Sequence, residues 1–183
     1  MWSPASFESE FMRFVTQFFL TIVFCSQIIT AQQINSPRFE DYRVSKFKGK
    51  IRSPKWIKIV SKGEWRDDLG KLVAPPEINF GEKYYVAAHS CGTGCRYYTM
   101  TDLSTGKEID SLDVFASAEP LLKTSDGREY LTILYYRPNS KLLIAQYLVG
   151  FNSESEQCRE RAFVFNNGNI KPLGKIKYKC RKL

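Results

Sequence analysis

The run Tyr130-Leu-Thr-Ile-Leu-Tyr-Tyr136, the stretch Arg137-Pro-Asn-Ser-Lys141 and the run Leu142-Leu-Ile-Ala-Gln-Tyr-Leu-Val149 decide the fold class. Both runs are rich in aromatic and β-prone side chains, and a Pro-Asn turn between them makes an antiparallel hairpin. The same reading extends outward. Arg161–Phe165 and Gly174–Cys180 flank Asn166-Asn-Gly-Asn169, where Asn167-Gly168 is the strongest hairpin dipeptide in the chain because both residues tolerate positive φ. Tyr84–Ser90 and Arg96–Asp102 read as strands on either side of Cys91-Gly-Thr-Gly-Cys95, and Trp56–Val60 as another. Ala74-Pro-Pro76 interrupts any ladder, while Ser104-Thr-Gly-Lys107 and Ser125-Asp-Gly127 carry turn chemistry. No segment has a sustained 3.6-residue apolar period with caps, although Leu112–Leu122 can hold a short turn of helix. The expected fold is all-β: a single-domain antiparallel meander over residues 55–183, packed as a sandwich or a small barrel.

The start of the chain carries an address rather than a fold. From Arg13 to Ala31 runs a mainly apolar stretch ending in small residues and followed by polar Gln32-Gln33, the layout of a signal peptide covering residues 1–31. Glu8 and Glu10 precede it where positive charge belongs, so Met12 is the better start. Thr16, Gln17, Ser26 and Gln27 interrupt the stretch, which favours cleavage near Ala31 over a retained membrane anchor. Cys25 follows Phe24 rather than a small residue, which argues against a lipidation site. Residues 32–54 are polar and basic, with Pro37 and Pro54, and read as a mobile or loosely packed arm. The expected location is the bacterial periplasm or cell exterior.

With 183 residues, 43% hydrophobic and 14% aromatic, the chain is neither disordered nor repetitive. Removing residues 1–31 moves the formal net charge from +8 to +9 and leaves Cys91, Cys95, Cys158 and Cys180. Four cysteines in an exported chain point to two disulfides with three possible pairings. Glycines between Cys91 and Cys95 allow a sharp turn, so a disulfide-closed loop is expected there; a ring this small shapes a loop more than it stabilises a fold. Cys158 and Cys180 fall near the open end of the Asn167-Gly168 hairpin, on faces shared with Ala162, Val164, Ile176 and Tyr178. Their bridge would staple the C-terminal strand to its neighbour, with a bulge near Pro172-Leu-Gly174 to absorb the unequal offset.

Phe80-Gly-Glu-Lys-Tyr84, Cys91-Gly-Thr-Gly-Cys95 and Asp102-Leu-Ser-Thr-Gly106 together resemble a family of small, exported, largely uncharacterised bacterial proteins. That family shares a Phe-x-x-x-Tyr strand start, the cysteine-glycine loop and an Asp-x-x-Thr-Gly turn. The resemblance spans residues 80–107 and implies an exported β-domain with a closed loop, without a reaction. His89-Ser90 departs from the pattern, so no role for His89 comes from it.

The catalytic candidates are few. His89 is the single histidine; with Cys91 and Cys95 it offers three zinc ligands where structural zinc takes four, and oxidised cysteines cannot ligate. No Gly-x-Ser-x-Gly elbow or phosphate-cradling loop is present, and Asp67-Asp68, Glu154 and Glu156 read as solvated surface. Neither metal nor cofactor is expected, and no catalytic residue is assigned.

The excess of base is more informative. Lys175, Lys177, Lys179 and Arg181 alternate with apolar residues and form an exposed row, either the charged edge of a sheet or, with Lys46, Lys48, Lys50 and Arg52, a face for an acidic partner. Thr93 and Arg96, in and beside the cysteine loop, join that row as candidate partner contacts. The expected function is a non-catalytic, exported, disulfide-stabilised domain that binds a protein or an anionic envelope component, with no specific nucleic-acid binding and no membrane span in the mature chain. The alternatives are an immunity or hydrolase-inhibitor protein, whose loop enters an enzyme cleft, and an envelope enzyme using His89.

Overall fold

The computed structural model describes residues 36–61, 63–92, 94–117, 121–150 and 153–183. The signal segment, the Met12 start, Cys25 and Thr93 lie outside them. Among the described residues ten strands form three antiparallel sheets, with no closed barrel. In chain order they are β1 (Lys58–Ser61), β2 (Glu64–Arg66), β3 (Leu72–Val73), β4 (Tyr84–Gly92), β5 (Cys95–Asp102), β6 (Lys107–Ile109), β7 (Tyr130–Tyr136), β8 (Leu142–Val149), β9 (Gln157–Asn166) and β10 (Asn169–Lys177). Short 3-10 helices occupy Phe39–Tyr42 and Asp110–Phe115, the second beginning just ahead of the helical turn expected from Leu112.

The four-stranded sheet runs β10-β9-β8-β7 and the three-stranded sheet β4-β5-β6. Alternation along their strands assigns each side chain a face. One face of each turns inward: Leu134, Leu143, Ala145, Phe163 and Phe165 from the larger sheet meet Tyr84, Val86, Tyr98 and Met100 from the smaller, with Leu112 and Phe115 of the second 3-10 helix. The Tyr98 hydroxyl donates to the Thr132 carbonyl (2.9 Å) and accepts from the Leu134 N–H (3.3 Å), tying β5 to β7 across this core.

Both outer faces are covered by the N-terminal arm. Phe39 caps Leu142, Ile144 and Ala162 on the larger sheet, and Phe47, Trp56 and Ile57 pack on Tyr85, Ala87 and Leu103 of the smaller. Backbone N–H groups of Val44, Phe47 and Arg52 donate to the carbonyls of Asn139, Glu82 and Leu103. The stretch read from its polarity as a loose arm is thus an integral wrap from Pro37 onward, because a few aromatic residues spaced along it suffice to cover two sheet faces. Gly81 and Glu82, both at positive φ, dock on the carbonyls of Arg137, Pro138 and Ser140, so the β7–β8 loop anchors the crossing between sheets.

The hairpin turn at Asn167 (φ 47°) and Gly168 (φ 82°) has the left-handed pair that its sequence requires. The register of β9 with β10 shifts between Leu173 and Lys177, where the bulge is needed. Cys91 pairs with Cys95 and Cys158 with Cys180, with Cα atoms 5.1 and 5.5 Å apart.

Candidate functional site

Beyond the end of the packed core, the inward face of the larger sheet is left open. Tyr130 of β7, Tyr147 and Val149 of β8, Arg159 of β9 and Ile176 of β10 all point to this side, since Tyr130 is paired with Val149 and Tyr147 with Arg159. With Tyr178 and the Lys123–Ser125 segment they line a cleft of about 350 Å³, within the size range of small-ligand sites. Ile176 and Tyr178 are 44% and 78% exposed. Alternation correctly puts them opposite the lysines, but no described residue covers their side of the sheet there, so among the described residues they line an open cleft instead of a core.

The two cations of the cleft each have a carboxylate nearby, Arg159 with Asp126 and Lys123 with Glu129. The cleft lining itself holds Lys123 and Arg159 and no carboxylate. The Arg159 guanidinium carbon lies 5.1 Å from the centroid of the Tyr178 ring, and its Nη2 is 3.7 Å from Asp126. Asp126 is bound more closely elsewhere: it accepts from the Thr124 hydroxyl and from Arg128 Nε (2.8 Å), and these hold its carboxyl down to about 2. The buried Nε of Arg159 has no hydrogen-bond acceptor among the described residues. Tyr130 meets Tyr147 edge-to-face at 5.7 Å, and burial, then the Tyr130 neighbour, pushes the Tyr147 phenol up to about 12, so it remains a donor at neutral pH.

His89 lies elsewhere, on the outer face of the smaller sheet. Its Nδ1 is 2.8 Å from Asp67 Oδ2 and its Nε2 2.8 Å from Thr99 Oγ1. Tyr97 stacks on the ring at 4.5 Å and Trp56 meets it edge-on at 4.8 Å. Asp67 follows β2, and its Oδ1 accepts the N–H groups of Leu69 (3.0 Å) and Lys71 (2.8 Å). Burial alone would raise this carboxyl; the bonds from His89 and the two backbone N–H groups outweigh it and hold the pKa below the ordinary value. Asp67 is therefore not the solvated surface residue its polar neighbourhood suggests: it is 3% exposed and ties the β1–β3 sheet to β4. The geometry is that of a hydroxyl–imidazole–carboxylate relay, but His89 is 2% exposed beneath its aromatic cover.

The other candidate contacts separate. Lys175, Lys177 and Lys179 are exposed along the edge strand β10 and its continuation. Arg181 leaves their row: its Nε donates to Glu160 Oε1 at 2.6 Å and its Nη1 to the Pro37 carbonyl, and its main chain also bonds Glu160 and Gln146. With Glu160 only 2% exposed, the Arg181 charge neutralises a buried carboxylate. In the arm, Phe47 and Arg52 bond the Glu82 and Leu103 carbonyls beside the smaller sheet, whereas Lys175 and Lys177 belong to β10 of the larger. Arg96 is half-buried and exchanges two backbone hydrogen bonds with Ser117; Ser90, Cys91 and Gly92 stand exposed at the end of the β4–β5 hairpin.

No helix among the described residues is long and apolar enough to cross a membrane, and no group of three or more possible metal ligands occurs among them. Comparison with protein-family models, with curated proteins and with solved structures finds no match.

Proposed function

We propose that the protein is an exported, non-catalytic β-sandwich that binds an envelope or extracellular partner in the Tyr130–Tyr147–Arg159–Tyr178 cleft. The observation that carries this reading is the cleft of about 350 Å³ itself, where Tyr130, Tyr147 and Tyr178 stand beside the partly exposed Arg159 at the end of the larger sheet. Export is supported by the signal-like N-terminal segment, by two disulfides, which persist in oxidising compartments, and by the resemblance around residues 80–107. The test is a thermal-shift screen of small anions and glycans on the wild type and on Arg159→Met. Ligands that stabilise only the wild type support the cleft; stabilisation that survives the substitution in every case refutes it.

The exposed, disulfide-closed end of the β4–β5 hairpin favours a second reading, an immunity or hydrolase-inhibitor protein that inserts this tip into an enzyme cleft. Replacing Cys91 and Cys95 with serine would then abolish inhibition and leave cleft ligands unaffected. An enzyme built on His89 ranks third, since a substrate would have to reach the Thr99 hydroxyl past Trp56 and Tyr97.

A further inference from the structure

Independently of the cleft, we infer that the layer covering the outer face of the smaller sheet docks on a bilayer surface that carries anionic phospholipid. This layer comprises the arm from Lys46 to Ile57 and the β1–β3 sheet. The chain concentrates its charge there: residues 46–73 hold nine Lys and Arg against three Asp and Glu, +6 of the total +8. Phe47, Trp56 and Ile57 pack down on Tyr85, Ala87 and Leu103, and Asp67, just beyond β2, bonds His89 of β4. Of the three acids, Asp67 is thereby buried, while Asp68 and Glu64 stand at 3.4 Å from Lys58 and Arg66. Lys46, Lys48, Lys50, Arg52, Lys55 and Lys71 are exposed and have no carboxylate partner among the described residues.

Apolar side chains stand among these cations. Cross-strand pairs share a face, so Lys58, Arg66 and Leu72 lie on one side of the β1–β3 sheet and Ile59, Trp65 and Val73 on the other. Trp65 and Val73 are half-buried, and Asp67, two residues beyond Trp65, reaches His89 from that side. The side of Lys58, Arg66 and Leu72 is therefore the outward one. Leu72 on it is 64% exposed, Val60 at the register shift of β1 is 60% exposed and Leu69 in the β2–β3 turn 58%. Aliphatic groups clustered on a surface mark a contact site, and they gain nothing from a nucleic-acid backbone or a soluble polyanion. A bilayer interface takes both kinds of side chain, cations at the level of the phosphates and short aliphatic groups at the acyl boundary.

The test is co-sedimentation of the exported protein with vesicles of phosphatidylcholine alone and of phosphatidylcholine mixed with phosphatidylglycerol. Binding is expected to the mixed vesicles only. Lys50→Gln with Lys55→Gln should weaken it about 25-fold, at roughly fivefold per cation near an anionic surface. Lys175→Gln with Lys179→Gln removes the same charge from the larger sheet's edge and the tail beyond it, and should leave binding unchanged. Val60→Ser with Leu72→Ser, at positions too exposed to carry the core, should weaken mixed-vesicle binding about tenfold or more and leave binding of a single-stranded oligonucleotide unaltered. All these proteins share one N-terminus, so their differences report the two surfaces alone. Equal losses from both lysine pairs, or equal binding to the two vesicle types, would overturn the docking surface. An oligonucleotide bound as tightly as the mixed vesicles, with no effect of Val60→Ser and Leu72→Ser on either, would replace the bilayer with nucleic acid as the partner.

Discussion

Replacing His89 with alanine removes the centre of the buried relay, and the structure gives the cost. Asp67 loses the partner of Oδ2 while Oδ1 keeps its two backbone donors, so a 3% exposed carboxylate is left half-satisfied. A hydrogen bond to a charged group contributes about 1.5–3 kcal/mol, and truncating a ring packed between Tyr97 and Trp56 adds a cavity term of about 1–2 kcal/mol. The expected loss is about 3–5 kcal/mol, measured by urea unfolding as a lower midpoint at constant slope. Asp67→Asn should cost less, about 1–2 kcal/mol, because the imidazole can change tautomer and the Thr99 hydroxyl can turn to accept. The depressed Asp67 pKa adds a pH signature: its stabilisation is full above the unfolded carboxyl value near ~4 and is lost as pH falls through the lower folded value. The acid limb of the stability curve should flatten in Asp67→Asn. A His89→Ala cost below about 1 kcal/mol, or an unaltered acid limb, would refute the structural role assigned to this relay.

Arg181→Met strips Glu160 of its cation while leaving a packed chain; the expected destabilisation is about 2–4 kcal/mol, and an effect under about 0.5 kcal/mol by the same unfolding assay would return Arg181 to the surface row. Replacing Cys158 and Cys180 with serine should cost about 3 kcal/mol and also weaken ligands of the cleft, because Tyr178 lies two residues from the bridge that holds the C-terminal segment. A calorimetric titration of the double variant that matches the wild type would sever that link. At high pH, phenols raised to about 12 at Tyr136 and Tyr147 stabilise the fold below pH ~10, and this contribution disappears as pH climbs toward 12. Phenolate absorbance should therefore rise together with unfolding; ionisation of all ten tyrosines without loss of structure would contradict their burial.

Much of the fold could be read from local sequence, because hairpins are written in neighbouring residues. The 130–149 hairpin and the Asn167-Gly168 turn with its bulge follow from alternation and turn chemistry, and of the three possible cysteine pairings the one that pattern favoured is the one found. The short strands β2 and β3 escaped, since two or three residues carry no period. The relay at His89 was invisible for a different reason: Asp67 is 22 residues away and looks like a loop acid until the β1–β3 sheet folds over β4. Arg181 likewise alternates with its lysine neighbours, and only the return of the tail to Pro37 and Glu160 distinguishes it. The cleft combines residues of four strands, one loop and the C-terminal tail. Its one local signal was Ile176 and Tyr178 on the face opposite the lysines, and alternation does not reveal where the covering layer stops.

The central claim, that the open end of the larger sheet is the binding surface, is tested most directly by a crystallographic soak with a library of small polar and anionic fragments. Fragments clustered in the cleft, beside Arg159 and with a ring against Tyr178, are the predicted result. An empty cleft, with fragments gathered instead at the Cys91–Cys95 hairpin end, would contradict it.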